Sequence, residues 1–175
     1  RHPEVVGGKT VCEVGAGCGV VGLAAAVLGA KQVLLTDQAY CVENLQGNAN
    51  RLERKVAELD RTCCAVEVCE LDWARPDPAV GPFDLVLGSD VVWLAELVPI
   101  LVHALEAITC AGSRVLIVHQ TRSLQTERLF LGLMKRRFDK LPSLDSDPQY
   151  SADIIDVWTF ERRASAEVEE ASGAG

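Results

Sequence analysis

The residues with the greatest chemical potential stand in one short run, Glu13-Val14-Gly15-Ala16-Gly17-Cys18-Gly19. Three alternate glycines directly after an apolar stretch let a backbone turn sharply and approach a ligand closely. A helix that opens from such a turn points its first N–H groups at that ligand. A dinucleotide pattern can be laid over Gly17, Gly19 and Gly22, with Asp37 placed 20 residues after Gly17. Its register is wrong, because the first glycine of such a site follows the strand at once. That position is Gly15, and the last glycine position then falls on Val20. Glu13 adds a second discriminator: an acid at a strand end would face a pyrophosphate unfavourably. It suits a ligand with a positive amino group, such as the methionine part of S-adenosylmethionine. Asp37, ending the next apolar run, would accept hydrogen bonds from two ribose hydroxyls. The plain alternative is that the glycines only form a tight turn.

The elements that would position these residues can be read from the apolar pattern. Thr10 to Val14 predicts a short buried strand, and Val20 to Leu28 the helix after the turn. Gln32 to Thr36 is a second strand ending at Asp37, and Cys41 to Leu59 a helix with Leu45, Leu52, Val56 and Leu59 near one face. Ala65 to Leu71 alternates as a strand does, and Arg75 to Pro82 is a loop holding three prolines. Phe83 to Gly88 is a buried strand and Leu94 to Thr109 a helix with Pro99 in or near its first turn. Ser113 to His119 is a strand, Leu124 to Phe138 an amphipathic helix, and Ile154 to Glu161 the last strand. Strands alternating with helices of this length predict an α/β fold with parallel βαβ units. The last strand breaks the rhythm. No helix precedes it, only a loop with Pro142 and Pro148, so it is expected to return antiparallel, pairing with something near Asp139 to Leu144.

Composition bounds the possibilities. A chain of 175 residues fits one domain with a tail, and 49% hydrophobic residues can fill a core. Lys and Arg number 17 against 25 Asp and Glu, a net charge of −8. That balance argues against nucleic acid as a partner and is compatible with a lysine-rich protein surface. Residues 164–175 are small and acidic without periodicity and predict a disordered tail, whose three glutamates supply part of the charge. The 7 cysteines are odd in number and contain no CxxC pair, and the 3 histidines share no ligand spacing with them. We therefore expect no metal site, and free thiols in a reducing compartment: the cytoplasm, with the nucleus as the other option. The longest uncharged run, Val14 to Ala30, is short of a membrane span, so no membrane partner is expected. A monomer is favoured.

The turn VCEVGAGCGVVGLAAAVLGA, the following LLTD, the Asn44-Leu45 and Asn48 pattern, the LDW of Leu71 to Trp73 and the LGSDVVW of Leu87 to Trp93 together resemble a known family. The chain is similar to class I, seven-β-strand methyltransferases, and within them to the methyltransferase-like non-histone protein lysine methyltransferases. The resemblance runs from about Lys9 to Arg162. It implies a Rossmann-like, doubly wound, mostly parallel seven-stranded sheet with an antiparallel C-terminal strand, over a domain of residues 1–163. It also implies S-adenosylmethionine as cofactor and a protein with an accessible lysine as substrate. Trp93 stands where many members have Tyr, keeping an aromatic ring without the phenol. Members also carry a cofactor-covering segment before the first strand. Only eight residues precede Lys9, so that lid is expected to be missing.

The resemblance assigns cofactor contacts to Glu13, Gly15, Gly17, Gly19, Asp37, Asp72, Trp73 and Ser89. Asp72 would bond the adenine amine and Trp73 pack near the ring. Each has a plain alternative, a turn cap for Asp72 and packing under the proline-rich loop for Trp73. Asp90 and Trp93 are the expected catalytic pair: Asp90 would orient the acceptor amine and Trp93 would wall its channel by a cation–π contact. The alternative for Asp90 is an N-cap of the next helix. Asn44 and Asn48, His119, and Lys135 to Arg137 read as structural. Two other functions stay open, namely another acceptor, a small molecule or a histidine side chain, and a non-catalytic binding scaffold.

Overall fold

Among the described residues, seven strands and four α-helices follow from the alternation of apolar runs with amphipathic stretches. The computed structural model describes residues 2–142 and 155–164. The strands are β1 (Thr10–Val14), β2 (Gln32–Asp37), β3 (Val66–Glu70), β4 (Leu85–Ser89), β5 (Arg114–Gln120), β6 (Phe138–Leu141) and β7 (Ile155–Arg162). The helices are α1 (Val20–Val27), α2 (Ala39–Glu58), α3 (Val98–Ala107) and α4 (Leu124–Met134). The sheet order is β3-β2-β1-β4-β5-β7-β6. The pairs from β3 through β5 are parallel, and β7 runs antiparallel between β5 and β6. The fold expected from the sequence is therefore the fold observed, including the antiparallel return. The expected partner strand lies at Phe138–Leu141; residues 143–154 and 165–175, the tail among them, lie outside the described residues.

The two faces of β1 show why the sheet is covered on both sides. Cys12 and Val14 join a core with Leu101 and Leu105 of α3, Phe130 and Met134 of α4, and Trp158 and Phe160 of β7. Val11 joins the opposite core, with Ala25 and Ala26 of α1 and Leu45 and Ala49 of α2. Leu101, Leu105 and Phe130 are fully buried, each burial stabilising the fold by about 1.5–3 kcal/mol relative to exposure. Gly22 sets the closeness of α1. A Cβ there would meet Leu35 Cδ2 at 2.2 Å and Glu13 Oε2 at 2.8 Å. Gly22 thus serves helix–strand packing.

Chain order reverses between β1 and β4, with β2 and β3 on one side and β5 on the other. Open α/β sheets bind ligands outside the C-terminal strand ends at such a point. Helix α3 starts later than the apolar pattern implied. Pro99 stands in its first turn, and Leu94 to Leu97 form a preceding turn, with Leu97 N donating to Leu94 O at 3.2 Å. Leu97 is the N-cap, so Asp90 does not cap this helix. Helix α4 stops at Met134, and Phe138, expected at its end, begins β6 instead.

Candidate active site

The glycine turn is built by backbone conformation. Gly15, Gly17 and Gly19 have φ of 60°, 58° and 81°, left-handed values that side-chain-bearing residues adopt at a cost. Gly19 N donates to Ala16 O at 2.7 Å and Ala16 N to Thr36 O at 3.0 Å, which fastens the turn to β2. Asn48 Nδ2 donates to Cys18 O at 3.0 Å, so α2 holds the turn from the other side. That is the structural role expected of Asn48.

A cavity of about 530 Å³ opens over the C-terminal ends of β1 to β4, a volume in the range of small-molecule sites. Gly15 lies on its wall beneath β1. Asp37 and Tyr40 contribute from the β2–α2 junction, and Glu70, Asp72 and Trp73 from the end of β3. Ser89, Asp90 and Trp93 contribute from the end of β4, with Leu97 and Ile100 from the start of α3. Seven of the ten residues assigned to the site thus stand around one opening.

The other three stand behind it. Gly17 N donates to Asp37 Oδ2 at 2.7 Å, so this glycine fixes the acid rather than lining the cavity. Gly19 packs inward, where a Cβ would meet Leu45 Cδ1 at 2.7 Å. Glu13 requires a correction. It is only 2% exposed, and its Oε2 accepts from Gly22 N at 2.8 Å in the first turn of α1. Its carboxyl therefore does not reach the cavity to meet an amino group. Burial pushes its pKa up to about 7, against the helix N–H bonds and with help from nearby Asp37.

On the β2–β3 side the two aspartates already have partners. Asp37 Oδ1 accepts from Gln38 N at 2.7 Å, while Gly17 holds the other oxygen. Asp72 Oδ1 accepts from Ala74 N at 3.0 Å and Oδ2 from Arg75 Nε at 3.3 Å. Asp72 is thus a turn cap and also a cavity residue. Trp73 sits against Gly15, where a Cβ would lie 3.2 Å from the indole.

The β4 side differs. Asp90 adopts φ 57°, a left-handed conformation that Asp tolerates better than most residues. Its N–H donates to Val118 O at 2.8 Å, extending the β4–β5 ladder by one bond. One carboxylate oxygen, Oδ2, is paired with the Arg122 guanidinium. The other, Oδ1, is buried with no hydrogen-bond partner among the described residues. Trp93 is 48% exposed beside it on the cavity wall. His119, at the end of β5, pairs with Glu127 at 3.1 Å inside the fold and stacks on Trp158, the structural role expected of it.

Sequence reading missed Tyr40, Glu70, Leu97, Ile100 and Arg122. Glu70 was within reach, because it ends β3 directly opposite Asp37. Arg122 carried no local signal, since its partner lies 32 residues away. Among the described residues no group of His, Cys, Asp and Glu is arranged to hold a metal ion, and no helix is long and apolar enough to cross a membrane.

Known proteins carry the same pattern. The family model described as lysine methyltransferase matches residues 2–137. The zebrafish (Danio rerio) protein N-lysine methyltransferase METTL21A is 37% identical over 133 residues, which is 75% of this chain and 58% of the relative. The mouse EEF1A lysine methyltransferase 3 is 32% identical over 143 residues, 80% of this chain and 58% of the relative. The chain thus spans under two thirds of the length of these relatives. Among solved structures, a SAM-dependent methyltransferase from Methanosarcina mazei matches with TM-score 0.67 and 12% identity, covering 90% of this chain and 93% of that one. A ribosomal protein L11 methylase from Lactobacillus delbrueckii subsp. bulgaricus matches with TM-score 0.60 and 23% identity, covering 90% and 72%. These structural likenesses speak for the fold, while the family model, matched from the chain's start through α4, speaks for descent: the chain belongs to the lysine methyltransferase family.

Proposed function

We propose that this chain is an S-adenosylmethionine-dependent protein-lysine N-methyltransferase acting on a non-histone protein. The cavity residues fit that cofactor. Asp37 presents two oxygens, each already bound by one backbone N–H, with lone pairs left for a vicinal diol. Trp73 offers an apolar face between β3 and β1, suited to an aromatic ring. When bound, the cofactor supplies a methyl group on a positively charged sulfur.

The observation that carries the reading is the Asp90 carboxylate, which lines the cavity with Trp93 and has a side chain 41% exposed. An amine that enters the cavity can donate an N–H to that carboxylate. Asp90 then orients the nitrogen, Trp93 walls its channel, and Leu97 and Ile100 keep the approach apolar. Alignment of this kind is the larger part of an in-line transfer. The acid-rich composition, 25 Asp and Glu against 17 Lys and Arg, favours a basic protein surface over nucleic acid as partner. The seven free thiols favour a reducing compartment, cytoplasm or nucleus.

Thermal shift with S-adenosylhomocysteine tests the cofactor half of this reading. We expect stabilisation that is largely lost in Asp37→Ala. A wild-type chain that shows no shift, or a variant that shifts as much as wild type, would count against it.

A further inference from the structure

Methyl transfer needs a neutral amine, yet a free lysine has a pKa of about 10.4 and carries a proton at neutral pH. A lone carboxylate beside that ammonium would stabilise its charge and hold the proton on. Asp90 is not a lone carboxylate, because the Arg122 guanidinium is paired with its Oδ2. The cation stands behind Asp90: Arg122 is not among the residues that line the cavity, whereas Asp90 is. Its loop is short and fastened at both ends. Gln120 pairs with Ile155 across β5 and β7, and the Ser123 side chain accepts from Thr126 N as the N-cap of α4.

Resting on the reading above, we propose that Arg122 is a positioning residue that offsets the charge of Asp90 so that the acceptor lysine can lose its proton. The paired carboxylate, on the cavity wall, can still accept one N–H bond from the amine, which fixes direction, while the net charge of the pair is close to zero. The ammonium then gives its proton to water and keeps the hydrogen bond to the Asp90 carboxylate. The other charged groups around the site do not supply a cation there. Asp37, Glu70 and Asp72 on the β2–β3 side are acids, with Arg75 on Asp72. Glu96, in the segment leading to α3, is exposed and acidic. His119 of β5 and Glu127 of α4 pair with each other inside the fold. Among the described residues, Arg122 is the cation in contact with Asp90.

The test uses the full chain and, as probe, a single recombinant protein first found labelled by the wild type in a cell lysate. Initial rates of methyl incorporation are followed against pH for wild type, Arg122→Met and Arg122→Lys, with S-adenosylhomocysteine affinity measured alongside by calorimetry. In Arg122→Met the midpoint of the rising limb should move up by about one pH unit, with a loss of about tenfold at neutral pH that is recovered at higher pH. Arg122→Lys should restore the wild-type midpoint, and cofactor-product affinity should stay within about twofold in both. An unshifted midpoint in Arg122→Met would overturn the inference while leaving the methyltransferase reading intact. A rate that rises at neutral pH would also overturn it, by showing that Arg122 competes with the substrate cation. Absence of labelling by the wild type at every pH would instead bring down the methyltransferase reading and this inference together.

Discussion

Strand β4 is flanked by two aspartates, Asp84 before it and Asp90 after it, and their situations are opposite. At the N-terminal end, Asp84 Oδ2 accepts from both the N–H and the hydroxyl of Thr10, each at 2.8 Å. Those bonds hold its carboxyl below the usual carboxylate range. At the C-terminal end, Asp90 has a left-handed backbone, one oxygen on Arg122 and one buried oxygen without a donor. One acid closes a strand joint, and the other stands on the cavity wall with its side chain 41% exposed. The same contrast divides the cavity. Asp37 and Asp72 are held by backbone N–H groups before any ligand arrives, while the Asp90 carboxylate is held by the Arg122 side chain and Trp93 is half exposed. Preorganised groups suit a cofactor that must always seat in one pose, and an acid held by a side chain suits a substrate that bonds to it.

The largest effect is expected at the open end. Asp90→Ala should lower methyl incorporation by about 100- to 1,000-fold while leaving S-adenosylhomocysteine affinity unchanged in calorimetry. Loss of both would erase the division of the cavity. Asp37→Ala should show the reverse pattern, with cofactor affinity weakened by about 10- to 100-fold as charged hydrogen bonds are lost. Normal affinity would remove Asp37 from the cofactor side.

Glu13 gives a pH-dependent effect. Its folded pKa of about 7 lies above the ordinary value of 4.5. Its protonated form therefore contributes stability that is present below pH 4.5 and lost as pH rises through 7. Glu13→Gln should flatten stability between those limits, by on the order of 1–3 kcal/mol, in urea melts at several pH values. A variant with the wild-type slope would contradict a buried, neutral carboxyl. The smallest effect is expected at the closed end of β4. Asp84→Ala should cost about 1 kcal/mol of stability, tempered by solvent exposure, with normal cofactor affinity. A transfer defect there larger than the stability loss would blur the distinction between the two aspartates.

Much of the framework was legible because period and turn chemistry agreed. The β1 run, the three glycines and the LLTD of β2 each had a local signature, and six strands fell close to their expected positions, while β6 overlaps the stretch near Asp139 to Leu144 expected only as a pairing partner. Boundaries failed where a local pattern was overruled. Leu94 to Leu97 has helical apolarity but forms a turn, with Pro99 marking the real start of α3. Phe83 reads as strand, yet its N–H donates to Ile108 O at 3.0 Å, outside the ladder. Asp37 could be named in advance because it ends an apolar strand run, whereas Asp72, Ser89 and Asp90 were named on the family resemblance carried by LDW and LGSDVVW. What sequence could not give was direction. Glu13 ends β1 but turns into the α1 packing, because Gly22 leaves room for its carboxyl there. Arg122 meets Asp90 only after β4 and β5 pair, a contact with no trace in local spacing.

The central claim is that the open end of β4 receives a lysine side chain. Mass spectrometry of a lysate incubated with isotopically labelled S-adenosylmethionine and the full chain tests it most directly. The account predicts label on the Nζ of lysine in a protein, present with wild type and absent with Asp90→Ala. Label on histidine, label confined to small molecules, or lysine label that persists with Asp90→Ala would contradict it.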